Sequence, residues 1–192
     1  MLAYVTSPNL SPTHPQSSSG DQAALAPRTI GILGSGIMGA GIAEVFASSG
    51  HSVVLRSRTP ESASDALRTL TANLEKQVQR GRLEAQRKID ILALCTTTTQ
   101  LEDLKACDVV IESVVEDIET KITLFAELDS LLPATTILAS NTSTLPIIEL
   151  ARSTQRPDKV CGIHFFNPAT TMSLVEVVRA ITSSDDTIQF AV

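Results

Sequence analysis

The sequence predicts a doubly wound α/β domain on a mainly parallel sheet. Two observations carry this. From Arg28 onward, short runs rich in Val and Ile alternate with longer segments of helical periodicity, the order that yields βαβ units with helices over both faces of a sheet. Within that order the loop Gly34-Ser35-Gly36-Ile37-Met38-Gly39 leaves the first strand-like run and enters the first helical one.

The elements follow in turn. Residues 1–27 hold four prolines, one acid (Asp21) and no Lys or Arg. They cannot bury enough apolar surface to offset their ordering entropy, so a disordered tail is expected. They lack the basic start and long apolar core of a secretory signal and the arginines of a presequence, which makes the cytoplasm the expected location. RTIGILG reads as a buried strand, IMGAGIAEVFASSG as a helix stopped at Gly50, and HSVVLRS as the second strand. From Pro60 to about Ile89, Ala63, Ala66, Leu67, Leu70 and Leu74 fall at helical spacing, with Gly81 as a break. LALCTTTT is a short strand, DVVIESVVE a strongly buried one, and IETKITLFAELDSLL an amphipathic helix stopped by Pro133. TTILASNTS, KVCGIHFFNP and SLVEVVRAI are three further strand-like runs. The end, SDDTIQFAV, begins a helix near Asp185 and leaves Ile188, Phe190 and Val192 without an obvious partner surface.

Composition removes several classes of function. Hydrophobic residues make up 43% and charged residues 19%, enough for a packed core. A net charge of −6 argues against nucleic-acid binding through a basic surface, and aromatics at 3% with no Trp argue against base stacking. No apolar run approaches the roughly 18 to 20 residues of a membrane span. Cys95, Cys107 and Cys161 are odd in number and form no CxxC, so reduced thiols are expected. His14, His51 and His164 show no metal-ligand spacing, and no metal site is expected.

The glycine loop is the first feature with chemistry. Gly34 permits a tight turn, Gly36 lets the backbone approach a pyrophosphate, and Gly39 lets the helix lie against the strand. The helix N-terminus adds free N–H groups and partial positive charge, with Ile37 and Met38 on its first turn. This context favours a dinucleotide as ligand over a glycine-rich turn with only a packing role. An NAD site normally has an acid at the end of the second strand, about 20 residues on, to hold the adenosine ribose. Here that strand reads Val53-Val54-Leu55-Arg56-Ser57-Arg58, and no acid occurs from Val45 to Pro60. Ser57 with Arg58 suits a 2′-phosphate, which favours NADP(H), with NAD(H) as the alternative.

The second half places Ser143, His164 and Glu176 after or within strand-like runs, where ligands of open parallel sheets bind. Glu176 sits among Leu174, Val175, Val177 and Val178. Either it lies on a wet strand face or it accepts a hydrogen bond from an imidazole, fixing the tautomer of a base.

Three segments together resemble the 3-hydroxyacyl-CoA dehydrogenase family: IGILGSGIMGAGIAEVFASSGHSVVL, DVVIESVVEDIETKITLFAELDSLLPATTILASNTSTLPI and GIHFFNPATTMSLVEVV. The resemblance runs from about Arg28 to Ile181. It implies a Rossmann-type dinucleotide-binding domain over residues 28–182, with 183–192 as the start of a helical domain. It implies hydride transfer between NAD(P)(H) and C3 of an L-3-hydroxyacyl-CoA or 3-oxoacyl-CoA, with a short acyl chain such as 3-hydroxybutyryl-CoA, in fatty acid or butanoate metabolism. His164 matches the general base, Glu176 its orienting carboxylate, and Ser143 the serine that contacts the substrate oxygen near the nicotinamide. Glu116, Lys121 and Asn167 match positions lining the cofactor site. Two coenzyme A contacts fall on Asn73 and Arg80, and Arg80 with Lys76, Arg82, Arg87 and Lys88 forms a basic cluster.

Two departures bear on these expectations. The ribose-binding acid is replaced, and the chain stops at Val192, where the family continues into an all-helical domain that forms a dimer. A truncated or split product is therefore expected, acting as a homodimer or with a separate helical partner chain. A nucleotide-binding protein without catalysis and a sugar-acid (L-gulonate-like) dehydrogenase are the alternatives.

Overall fold

The computed structural model describes residues 26–192 together with the strand Ala3–Thr6. In chain order the elements are β1 (Ala3–Thr6), β2 (Thr29–Leu33), α1 (Ile37–Ser48), β3 (Ser52–Arg56), α2 (Pro60–Gln79), α3 (Ala85–Ala93), β4 (Cys95–Thr98), β5 (Val109–Glu112), α4 (Ile118–Leu131), β6 (Ile137–Ser140), α5 (Ile147–Arg152), β7 (Val160–Phe165), β8 (Val175–Arg179) and α6 (Asp185–Ala191). Local chemistry sets the boundaries. Thr59 caps α2 reciprocally with Ser62 and is followed by Pro60, while Asp117 caps α4 through the Thr120 N–H. Gly50 and Gly81 follow α1 and α2 with φ of 90° and 67°, and Gly81 divides the long helical segment as expected.

The sheet runs β1-β8-β7-β6-β5-β2-β3-β4. The pairs from β4 through β7 are parallel; β8 is antiparallel to β7 and β1 antiparallel to β8. The order reverses between β2 and β5: the chain leaves β2 toward β3 and later returns to β5 on the other side. A crevice opens at such a reversal, beyond the carboxyl ends of the strands. Side chains alternate between two cores. Ile30, Ile32, Val53, Leu55, Val109 and Ile111 face α1, α2 and α3; Leu33, Val110 and Leu138 face Phe125 and Leu128 of α4 and Leu150 of α5. The doubly wound, mainly parallel fold read from the sequence is thus present.

Two expectations need correction. Ala3–Thr6, read as part of a disordered tail, forms the edge strand β1. Its residue types favour extended structure, and β8 offers it an unpaired edge. The remainder of that expectation, residues 7–25, lies outside the described residues. Nor does the C-terminal end lack a partner surface. Helix α6 packs on β7 and β8, Ile188 is buried, and the Arg28 guanidinium lies 3.9 Å from the Phe190 ring centroid. Val192 alone of the three is exposed.

Candidate active site

The glycine loop is shaped by close approach. Gly34 has φ of 100°, and a Cβ there would lie 2.4 Å from the Ser113 carbonyl oxygen. A Cβ on Gly39 would lie 1.8 Å from the Gly34 carbonyl oxygen. At Gly36 a Cβ would meet nothing within 4 Å, so its missing side chain leaves open space rather than relieving a clash. Gly36 caps α1 without a side-chain hydrogen bond, and the first turn carries no acid. The first N–H groups of α1 therefore point free of partners toward that space. Ile37 is 81% exposed at the mouth and Met38 packs inward.

Ser57 and Arg58 separate. Ser57 continues from β3, its N–H donating to the Thr98 carbonyl, but its side chain is buried and Oγ has no partner. The expectation of two groups presented together is met by Arg58 alone, which is exposed. Free N–H groups and the open space over Gly36 together fit a dinucleotide, while the inward-turned Ser57 hydroxyl is not presented to it.

At the same sheet end, β5 and β6 terminate in a network of charge. Glu112, fully buried, accepts from Lys121 Nζ (2.6 Å), the Val114 N–H (2.7 Å) and the Ser140 hydroxyl (2.7 Å). Lys121 also lies 3.2 Å from Glu116 Oε2. Glu116 Oε1 accepts from the Thr142 hydroxyl and from the Ser143 N–H at 3.2 Å. Burial pushes the Glu116 carboxyl up, but the Thr142 hydroxyl, the Lys121 ammonium and the Ser143 N–H together hold it below the ordinary carboxylate range. Lys121, expected to line the cofactor site, is only 1% exposed and is spent between two carboxylates. Glu112 was not singled out from the sequence, whereas Asn141 lies in the Ser140–Ser143 run that the sequence places after a strand, at the ligand end of the sheet. Asn141 Nδ2 donates to Ser113 Oγ (3.3 Å) while its Oδ1 accepts the Phe165 N–H (2.8 Å), so one side chain joins three strand ends.

His164 and Glu176 stand directly opposite each other on β7 and β8. Their side chains share one face, with Nδ1 3.0 Å from Oε2, which settles the two readings of Glu176 in favour of an imidazole partner. A carboxylate only accepts, so in the neutral ring the proton sits on Nδ1 and Nε2 keeps its lone pair. The Phe166 ring lies 4.6 Å from the imidazole. Asn167 is exposed just beyond, and the loop returns to set buried Ala169 over Gly41 of α1, bringing the His164 strand end against the cradle helix.

Two members of the basic cluster on α2 and α3 are engaged within the chain. Lys88 pairs with Glu75 at 2.6 Å and Arg87 donates to the Ser48 carbonyl. Arg80 is exposed at the end of α2, and Asn73 lies beside the buried carboxyl of Glu44. The three thiols are free, and burial pushes Cys95 up to about 11 and Cys107 and Cys161 up to about 12, so they take no part as nucleophiles. Among the described residues no cluster of metal ligands occurs and no helix is long and apolar enough to cross a membrane.

A glycine cradle at the reversal of a doubly wound parallel sheet, with a histidine–carboxylate pair beside it, defines a Rossmann-type dinucleotide-binding domain. Residues 29–192 match the model of the 3-hydroxyacyl-CoA dehydrogenase NAD binding domain, and the chain belongs to that family. It is 48% identical over 155 residues to the 3-hydroxybutyryl-CoA dehydrogenase of Clostridioides difficile, across 81% of this chain and 55% of that protein. The crystal structure of 3-hydroxybutyryl-CoA dehydrogenase from Escherichia coli K12 superposes with a TM-score of 0.84 at 40% identity, covering 87% of this chain and 35% of that one. The (S)-3-hydroxybutyryl-CoA dehydrogenase of Ralstonia eutropha gives a TM-score of 0.84 at 36% identity, over 86% and 58%. The chain thus spans about half or less of the first two of these relatives.

Proposed function

We propose that this chain takes part in reversible hydride transfer between a nicotinamide dinucleotide and C3 of a short-chain L-3-hydroxyacyl-CoA, 3-hydroxybutyryl-CoA being the representative substrate, in fatty acid or butanoate metabolism. The observation that carries the reading is the His164–Glu176 pair, set at the sheet end where the cradle opens. The α1 N-terminus and Gly36 would hold the pyrophosphate. When bound, the nicotinamide supplies the hydride acceptor or donor. His164 Nε2 takes the substrate hydroxyl proton in oxidation and returns it in reduction, a positioned transfer worth about 10² to 10⁴ in rate. Glu176 keeps the tautomer and stabilises the imidazolium. Ser143, held by Glu116 through its N–H, steadies the oxygen on which charge changes. Asn167 lines the nicotinamide side, and Asn73 and Arg80 meet coenzyme A.

NADP(H) is the favoured dinucleotide. No acid stands at the end of β3 to repel a 2′-phosphate, and Arg58 is exposed there. Free, inert thiols are compatible with the cytoplasm.

The test is direct. Purified 1–192 is titrated with NADPH by fluorescence and then given acetoacetyl-CoA while absorbance is followed. Saturable binding with loss of NADPH absorbance dependent on His164 supports the reading. A chain that binds no dinucleotide refutes it.

A further inference from the structure

Glu112 and Lys121 are, among the described residues, the one ion pair with both side chains at 1% exposure or less. Taking two charges wholly out of water is costly, and a packed apolar pair would stabilise the fold as well or better. Stability alone therefore gives no reason for the pair. Its contacts do.

Glu112 ends β5. Through three accepted hydrogen bonds it ties the loop after β5, the end of β6 and helix α4 to one carboxylate. The ammonium of Lys121 then reaches Glu116 on its far side. Glu116 is itself 40% exposed and without that tether would turn toward water. Held in place, it gathers the Thr142 hydroxyl, the Ser143 N–H and the Thr144 hydroxyl onto one oxygen. Thr142 in turn accepts the Leu145 N–H at 2.9 Å, closing the turn. The line Glu112–Lys121–Glu116–Ser143 runs from the closed interior to the crevice with no break.

We propose that Glu112 is a positioning residue: through Lys121 it holds Glu116 against the Asn141–Thr144 turn, and so sets Ser143 at the crevice without touching any ligand. The proposal rests on the reading that Ser143 contacts the reacting oxygen. It gives the buried charge a role that apolar packing would not fill: one ammonium pairs with both carboxylates and so reaches Glu116 from the interior.

Glu112→Gln alone leaves Lys121 with half its countercharge and can unfold the chain. The test therefore uses Glu112→Gln/Lys121→Met, which removes both charges at similar volume. Amide hydrogen exchange at Ser143, read by NMR, is expected to quicken about tenfold, the loss that follows release of one charge-assisted hydrogen bond. The amides of Thr29–Leu33 are expected to exchange as in the parent. With acetoacetyl-CoA, kcat is expected to fall at least about tenfold. Unchanged Ser143 exchange in the folded double variant overturns the proposal. So does loss of protection throughout the sheet, which would mark the pair as structural only. A parent chain that binds no dinucleotide would sink the functional reading and leave the exchange result standing, so the two fail separately.

Discussion

His164 and Glu176 are neighbours by strand register, not by loop geometry: each lies opposite the other across the antiparallel β7–β8 ladder, with Nδ1 and Oε2 3.0 Å apart. An imidazole held across paired strands is oriented by rigid elements rather than by a loop. His164→Ala should lower turnover at least about a hundredfold and leave NADPH affinity unchanged, because proton transfer is lost while the cradle is not. Glu176→Gln should cost less, since Nε2 remains and only its tautomer is released. Steady-state kinetics paired with a binding titration checks both, and an active His164→Ala variant would remove the assignment.

The glycines should separate folding from binding. A methyl on Gly39 would fall 1.8 Å from a backbone oxygen, so Gly39→Ala should destabilise by about 3 kcal/mol or more. A methyl on Gly36 meets nothing within 4 Å in the ligand-free chain. Gly36→Ala should therefore cost under about 1 kcal/mol of stability. It should still weaken dinucleotide binding at least about tenfold, because the methyl occupies the space the pyrophosphate needs. Thermal melts beside NADPH titrations distinguish the two. Equal stability losses would show that Gly36 is a packing glycine like Gly39.

Much of this was legible in the sequence because it is local. Strand runs, caps and the glycine loop are read within about ten residues, and His164 and Glu176 each lie in a strand-like run that delivers them to one sheet end. What was not legible is non-local. Glu112 is the last residue of an apolar strand, and Lys121, placed by resemblance at the cofactor site, sits on α4; only the packing of α4 on β5 makes them partners. Ser57 reads as an open polar position, yet its side chain turns inward. Ile188 and Phe190 lacked a visible partner because β8 and Arg28, which cover them, are distant in sequence from α6 or unmarked by pattern. Ala3–Thr6 is too short to predict a strand, and its pairing depends on the free edge of β8.

Cofactor choice should depend on Arg58. Its guanidinium is exposed beside the β3 end, where a 2′-phosphate would lie, whereas Ser57 Oγ is buried. NADPH should bind about tenfold to a hundredfold more tightly than NADH, as one charge-assisted contact allows. Arg58→Ala should close most of that gap, and high salt should narrow it in the parent. Ser57→Ala should change it little. Equal dissociation constants at low salt would refute the preference for NADP(H).

Glu44 should make stability depend on pH in a direction opposite to that of a paired carboxylate. It lies on α1 with 3% exposure, Oε1 accepting from Gln77 Nε2 at 2.6 Å and Oε2 without a partner. Burial raises its pKa from 4.5, and the hydrogen bonds from Gln77 and Asn73 only partly offset this. Below about pH 4.5 the folded and unfolded chains both hold the proton, so ionisation of Glu44 costs nothing. As pH rises past that value the unfolded chain releases its proton first, and the folded state loses stability. The loss grows until the folded carboxyl ionises at its raised pKa and is constant above it. Glu44→Gln, neutral and of the same shape, should therefore match the parent at pH 4 and be more stable at pH 7, with the gap opening in between. Urea melts across that range read it out. A variant less stable than the parent at pH 7 would show that Glu44 is ionised and held by a partner in the folded chain.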